Sequence, residues 1–435
     1  MASLRTFPVN PGRFPFFYGW FLLGFGTLGM LMSIPGQTVG VSVFTDFLID
    51  VLALDRGGIS MAYLVGTVGS ALALTAGGKA YDRYGARPVG VLVTILLGLT
   101  LIALSYVDAV AEAVVLPFLP RQVTSFAVIA LGFFFLRFFG QGILTMTSRN
   151  MVMKWFETRR GTANAVLGVS VALGFSAAPR LLNDLIVVTG WREAWRLMAL
   201  ALGVFAVIVF LFYRDNPEKF DLVPDGSSEV RSRRKAAHAD AAAARDFTLP
   251  EARRTYAFWI FALTLALSAL LITAFTFNVV SIFSEVGLSR ERAVSVFLPA
   301  SVIAVAAQFT GSWISDYIPL KRLALVQTLG AALLSSGVLL LSEGLPIYLI
   351  IAGIGLSQGM MGITGNITWP RYFGRLHLGA ISGFAMALTV AGSAVGPYLF
   401  SLSLDLSGSY HLAGGCFLGF SVLLFIGALF VKRPQ

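Results

Sequence analysis

Ionisable side chains are scarce in this sequence: Asp, Glu, Lys and Arg together make up 12% of its 435 residues. A soluble domain carries roughly 25%, so most of the surface of this chain cannot face water. Sulfur and imidazole are scarcer still. One cysteine, Cys416, excludes an internal disulfide and a thiolate metal cluster. The three histidines, His238, His377 and His411, are scattered and offer no metal-ligand spacing. Paired carboxylates, a nucleophile constellation and a GxxxxGK(S/T) phosphate loop are all missing, so an enzyme reading has no support and neither metal nor cofactor is expected. Tyr18 to Met32 leads into a full-length apolar span with no small-residue cleavage site, so a cleavable signal is not expected either.

What the chain has in abundance is apolar length. Hydrophobic residues make up 57% of it, and runs of about 20 residues recur, each enough to cross a bilayer core of ~30 Å as a helix. The pattern predicts an all-α membrane protein with twelve helices, at 17–46, 59–79, 88–107, 124–148, 161–183, 195–213, 257–283, 292–314, 323–342, 347–368, 379–402 and 411–431. The domains expected are an N-terminal tail (1–16), a six-helix bundle (17–213), a linker (214–255) and a second six-helix bundle (256–435). The linker holds Arg231, Arg233, Arg234, Lys235 and an Ala-rich tract without an apolar run, and reads as partly disordered. Phe247 to Arg254 is a candidate amphipathic lead-in to the seventh helix.

Positive charge sets the orientation. With both termini inside, the inner segments hold 24 of the 32 Lys and Arg, including Lys79, Arg83, Arg87, Arg149, Lys154, Lys321 and Arg322. The outer segments hold Arg56, Arg121, Arg192, Arg196, Arg290 and Arg292. By the positive-inside rule both termini and the linker are cytoplasmic. The formal charge of +10 is therefore topology, and no nucleic-acid partner is expected. The seven tryptophans fall at or near helix ends and read as an interfacial aromatic belt. Glycines at Gly24, Gly26, Gly29, Gly36 and Gly40 read as sites of close helix approach.

The chain also repeats itself. Gly78-Lys-Ala-Tyr-Asp82-Arg83-Tyr-Gly85-Ala-Arg87 has a degraded echo in Ser312-Trp-Ile-Ser-Asp316-Tyr-Ile-Pro-Leu-Lys321-Arg322. Gln141-Gly142, Trp155-Phe156, Gly161, Gly174, Pro179 and Gly190 are matched by Gln358-Gly359, Tyr372-Phe373, Gly379, Gly392, Pro397 and Gly408. A membrane chain made of two related halves points to a transporter, since the halves can rock about a site at the midplane.

Gly78 to Arg87 matches the Gly-x-x-x-Asp-Arg-x-Gly-x-Arg signature between helices two and three of the major facilitator superfamily, which the chain resembles over nearly its whole length. Tyr18-Gly19-Trp20, Arg137-Phe-Phe-Gly140-Gln-Gly142, Trp155-Phe-Glu-Thr-Arg159-Arg160-Gly161 and Gly190-Trp191-Arg192 resemble the monocarboxylate-transporter and oxalate–formate-antiporter branch, especially its bacterial members. The resemblance implies two pseudo-symmetric six-helix bundles, a bacterial inner-membrane location and alternating access. One departure stands out. Carboxylate carriers of that branch place an arginine inside helix eight, whereas here Ala293-Val-Ser-Val-Phe-Leu-Pro299 has arginine only at its outer edge, Arg292. Helix eleven also lacks the lysine of oxalate–formate exchangers.

Two groups of residues are the expected machinery. Gly78, Asp82, Arg83, Gly85 and Arg87, with Asp316 in the second half, form a conformational latch, a charged turn that pairs with a helix end in one state only. Arg137 sits near the middle of the fourth helix, where an ionised side chain costs at least ~2.5–3.5 kcal/mol and needs a partner or a wet cavity. Its repeat equivalent is Ile354, so the scaffold does not demand the charge twice. It can contact an anionic substrate, switch on helix-one backbone, or brace helices one and four. Further candidate linings of a site between the halves are Gln37, Thr38, Tyr63, Gln141, Thr273, Thr276, Asn278, Gln308 and Gln358. Each also reads as an ordinary interhelical hydrogen bond. Arg180 is expected to pair with Asp184 at i+4, with Asp46 also in reach. No carboxylate is placed at the midplane.

The function expected is secondary active transport of a small organic anion, a carboxylate, coupled to protons or to a counter-anion, with the lipid bilayer and the substrate as partners. The alternatives are an exporter of a larger apolar or neutral compound and a nutrient sensor that binds without transporting.

Overall fold

A computed structural model describes residues 8–114, 120–226, 243 and 245–434. The basic tract Arg231 to Lys235 and the Ala-rich stretch lie outside the described residues. Among those described, the secondary structure is helical, with no strand.

Among the described residues eleven helices are long and apolar enough to cross a membrane, and a shorter apolar helix precedes them. In chain order they are α1 (Tyr18–Leu31), α2 (Arg56–Tyr84), α3 (Ala86–Ser105), α4 (Arg121–Trp155), α5 (Arg160–Thr189), α6 (Trp191–Phe212), α7 (Tyr256–Glu285), α8 (Arg290–Ser315), α9 (Leu320–Leu339), α10 (Leu345–Tyr372), α11 (Leu378–Ser407) and α12 (His411–Leu429). They divide into two compact units, residues Met1–Phe156 with Ser170–Ser228, and Glu157–Val169 with Glu229–Gln435.

Within the first unit α3 packs on α6 and α2 on α4; within the second, α9 packs on α10 and α7 on α11. The repeated residues occupy matching places. Phe156 and Phe373 cap the ends of α4 and α10. Pro179 and Pro397 lie inside α5 and α11. Gly190 and Gly408 follow those helices at φ +84° and +68°, the left-handed region that favours glycine.

The first helix differs from expectation. The apolar run predicts one span over 17–46, but helix α1 ends at Leu31 and the chain continues as short pieces, Ile34–Gly36, Thr38–Val41, Ser42–Phe44 and Thr45–Leu52. Pro35 removes a backbone donor and Gly36 follows it, which interrupts the α-helical ladder. The freed carbonyls are answered locally: Ser33 Oγ donates to Met30 O at 2.6 Å. Irregular backbone at membrane depth persists only where protein groups satisfy it.

The tryptophan belt also needs correction. Trp155, Trp191, Trp195 and Trp369 are buried in protein. Trp155 packs beside Phe17 and Tyr18, and its indole N–H donates to Arg214 O at 3.1 Å. Trp369 stacks on Phe373. Trp313 alone of the seven is largely exposed. A helix end can place an indole against its neighbours as readily as at the headgroups, and end position alone does not separate the two. The lead-in to α7 is a short helix, Leu249–Arg253, closed by a capping box between Thr248 and Glu251.

Candidate functional site

In the first unit the break in helix one and the middle of α4 meet backbone to backbone. A Cβ on Gly36 would lie 2.3 Å from Leu136 O and 2.8 Å from Gly140 Cα. At the contact, α4 widens from an α-helix (Arg121–Leu136) into a π-helix (Arg137–Leu144), then resumes as Thr145–Trp155. Such turns are uncommon and recur at functional sites.

Arg137 opens the π-turn and is 5% exposed. Its Nη1 donates to Gly36 O and to Thr38 Oγ1, both at 3.3 Å. The guanidinium carbon lies 5.2 Å from the centre of the Tyr63 ring, a cation–π distance, and the Tyr63 hydroxyl is 2.9 Å from Thr38 Oγ1. Arg137 Nε is buried without a partner, and Nη2 forms no hydrogen bond among the described residues. That leaves one edge of the fork, Nε and Nη2, unengaged. This is the edge with which an arginine holds a carboxylate through two parallel bonds. Among the described residues no carboxylate pairs with it.

Gln37 adds a polar layer beside this cluster. Its Nε2 donates to Ser33 Oγ at 2.9 Å and to Thr145 Oγ1 at 3.2 Å, and Thr145 Oγ1 lies 3.0 Å from Ser33 Oγ and 3.1 Å from Gly140 O. Four sequence-derived candidates, Arg137, Gln37, Thr38 and Tyr63, are thus brought together. Gln141 is half-buried on the same π-turn. Ser33 and Thr145 were missed. The available signal was the spacing of Thr145, four residues after Gln141, and of Ser33, four before Gln37.

The second-unit candidates do not converge in this way. Thr273 Oγ1 pairs with Ser393 Oγ at 2.9 Å, Asn278 donates to Ala274 O of its own helix at 3.0 Å, and Thr276 and Gln358 are exposed. Gln308 packs against Gly168 and Gly362. Ile354, the repeat equivalent of Arg137, is 3% exposed among apolar neighbours. A buried polar group that sequence reasoning missed joins three helices: Gln327 Nε2 donates to Ser268 Oγ at 3.0 Å and Thr364 Oγ1 donates to Gln327 Oε1 at 2.6 Å.

Asp316 has a defined role in the second unit. It caps the end of α8 and accepts from Gly161 N at 2.7 Å, Thr162 N at 3.1 Å and Thr162 Oγ1 at 3.0 Å, the first turn of α5. Gly161 is required there, since a Cβ would lie 2.0 Å from Ser312 O. Burial pushes the Asp316 carboxyl above its ordinary pKa, against the pull of the Gly161 and Thr162 donors. Next to it Asn164 Nδ2 donates to Ser312 Oγ at 3.0 Å and Asn366 Nδ2 donates to Asn164 Oδ1 at 2.7 Å.

The first-half motif runs from the last two turns of α2 into the first turn of α3. Gly78 is buried, Asp82 is half-buried, and Arg83 is exposed with its guanidinium 5.3 Å from the Tyr84 ring. Gly85 makes the turn between α2 and α3 at φ +87°. Arg87 Nη2 reaches Leu211 O at the end of α6 at 3.3 Å. The expected Arg180–Asp184 pair does not form: both side chains are exposed, and neither has an ion-pair partner among the described residues. An exposed i,i+4 pair gains only ~0.3–0.5 kcal/mol, too little to hold two long side chains in one geometry.

Known proteins resemble this chain over most of its length. A Bacillus subtilis (strain 168) protein described as a hexuronate transporter is 24% identical over 414 residues, covering 90% of this chain and 91% of that one. A Thermoproteus tenax protein, described as an uncharacterized 38 kDa protein in a 23S RNA operon, is 25% identical over 387 residues, 88% and 85% of the two chains. Among solved structures the fold is similar to the proton:xylose symporter XylE, with TM-score 0.62, 16% identity and 95% of each chain covered. It is likewise similar to the human organic anion transporter MFSD10, with TM-score 0.60, 15% identity, and 94% and 99% covered. The family model of the Major Facilitator Superfamily matches residues 16–397, and with its twelve apolar helices and repeated halves this chain belongs to that superfamily of membrane transporters.

Proposed function

We propose that this transporter carries a small organic anion, a carboxylate, through the bacterial inner membrane by secondary active transport, with both termini cytoplasmic. The observation that carries the reading is the Nε–Nη2 edge of Arg137, on a buried side chain with no carboxylate among the described residues to neutralise it. A buried guanidinium on a membrane helix costs several kcal/mol unless something answers it. A carboxylate is the anion whose geometry fits that edge. The hexuronate transporter relative supports the anionic class. Gln37, Thr38, Tyr63 and Gln141 stand beside Arg137 as polar contacts for the rest of the substrate. The motifs around Arg137 and Trp155 favour the monocarboxylate-transporter-like branch. The absence of an arginine from the interior of α8 and of a lysine from α11 shifts the charge of the site onto Arg137. Protons or a counter-anion supply the driving force.

The direct test is uptake into proteoliposomes of D-glucuronate, D-gluconate, L-lactate and oxalate, with neutral D-glucose as comparator. Accumulation of at least one carboxylate in preference to glucose is expected, and preferential uptake of glucose would end the anion reading.

The latch is part of this proposal. Asp316 holds the first turn of α5, a helix whose later turns belong to the first unit, and Asp82 is its first-half counterpart. Asp316→Asn keeps one acceptor oxygen but sets amide N–H groups against the donors of Gly161 and Thr162. A hydrogen bond to an ionised group is worth about 1.5–3 kcal/mol. Uptake should therefore fall about tenfold or more in Asp316→Asn while the protein still folds and inserts, and unchanged uptake would remove Asp316 from the latch. For orientation, a cysteine at Ser228, with Cys416 replaced, should react with a membrane-impermeant thiol reagent only after the cells are opened. Labelling of intact cells would invert the topology.

A further inference from the structure

Arg149 reads from the sequence as one of the inner positive residues that set topology. In the structure it lies inside α4, six residues before the helix ends at Trp155, or about 9 Å at 1.5 Å per residue. Its Nε is buried without a hydrogen-bond partner, and among the described residues Arg149 makes no ion pair or hydrogen bond. Arg149 as a whole is half-buried, and two nearby cations of the first unit that are more deeply buried are answered. Lys154 Nζ pairs with Asp215 at 3.2 Å and sits 4.6 Å from the Tyr81 ring. Arg214 donates to the carbonyls of Tyr213 at 2.8 Å and Val9 at 3.2 Å. Among the described residues neither Arg137 nor Arg149 has a carboxylate partner, and Arg149 has no hydrogen-bond partner either. The two share one helix. Arg149 stands four residues after Thr145, which puts it one turn below the Ser33–Gln37–Thr145 layer on the same side of α4.

We infer that Arg149 is a second seat for the transported anion, toward the Trp155 end of α4, occupied after Arg137 and not together with it. The inference rests on the anion reading given above. Twelve residues separate the arginines, at most about 18 Å at the α-helical 1.5 Å per residue and somewhat less because Arg137–Leu144 is a π-turn. A small carboxylate cannot bridge that distance, so one anion meets the two guanidiniums in succession. The ligand class is the same as for Arg137, a compact carboxylate, and its negative charge compensates first the buried Arg137 and then the half-buried Arg149.

The test compares wild type, Arg149→Gln and Arg149→Lys in proteoliposomes, with D-glucuronate, D-gluconate, L-lactate and oxalate as probes and the melting temperature measured on each protein. For the probe that wild type transports, Arg149→Gln should lower maximal uptake about tenfold with half-saturation within threefold, the signature of a step after initial binding. Arg149→Lys, which keeps the charge, should recover most of it. Normal uptake by Arg149→Gln overturns the second seat and leaves Arg137 untouched. Melting temperatures lowered in both variants overturn it in favour of a structural role. If wild type transports none of the four carboxylates, the anion reading falls and this inference falls with it.

Discussion

Uptake is expected to fall about 100-fold or more when Arg137 becomes glutamine, with Arg137→Lys retaining part of it. Glutamine removes the charge and the carboxylate-binding edge together. The Nη1 bonds to Gly36 O and Thr38 Oγ1, at 3.3 Å each, show how the residue is aimed. Hydrogen bonds to ionised groups are worth about 1.5–3 kcal/mol each, and two lost from a bound carboxylate account for a loss of that size. Lysine keeps a positive charge but cannot present two parallel donors. Three outcomes are distinguishable when binding, melting temperature and uptake are measured on both variants. Loss of binding by glutamine with partial binding by lysine identifies a substrate contact. A lowered melting temperature in both variants identifies a brace between helix one and α4. Intact binding with slow turnover identifies a switch acting on the Gly36 carbonyl. Wild-type uptake by well-folded Arg137→Gln would falsify the substrate-contact assignment.

Gly36→Ala is expected to lower the melting temperature by several degrees and to abolish uptake. The added methyl would lie 2.3 Å from Leu136 O and 2.8 Å from Gly140 Cα, and both obstacles are backbone. Overpacking of this kind costs about 1–3 kcal/mol where side chains can yield, and a backbone obstacle yields less. Relief requires helix one to move off α4, which pulls the Gly36 carbonyl and Thr38 away from Arg137. Gly140→Ala meets Gly36 Cα at 2.8 Å from the other side, so the two substitutions should be non-additive when combined. Gly24→Ala is the control: nothing lies within 4 Å of its added methyl, and alanine is the better helix former by ~1 kcal/mol. A Gly36→Ala protein that melts and transports like wild type would show that the close contact has no functional weight.

Much of the architecture could be read from the residues because bilayer length and repetition are strong constraints. Gly190 and Gly408 were matched by spacing alone, and both fall at helix ends with positive φ. Arg137 was conspicuous as a charge in an apolar span, and Gln37, Thr38 and Tyr63 do gather around it. The rest was hidden for identifiable reasons. Pro35 and Gly36 sit in an unbroken apolar run, and hydropathy does not distinguish a kinked span from a broken one. A π-turn has no composition of its own; here it coincides with the close approach of Gly140 to Gly36. Arg149 was counted as a topology residue because it lies close to the inner loop, whereas burial of its Nε is a property of the folded helix. Buried Trp155 and Trp369 were assigned to the interface for the same reason: proximity to a helix end says nothing about what the ring packs against.

The π-turn bears on how the two halves diverged. Gln141 to Trp155 and Gln358 to Tyr372 span the same number of residues, yet α4 passes through a π-helix while α10 is α-helical throughout. One residue more in a turn rotates everything beyond it by about 100°, the angle that separates neighbours on an α-helix. Positions that correspond by counting therefore cease to correspond in direction beyond the widened turn, and Arg137 and Ile354 sit at that divergence. A duplicated scaffold can in this way keep its ancestral path through the bilayer while one copy acquires a charge at its centre and the other keeps a hydrocarbon.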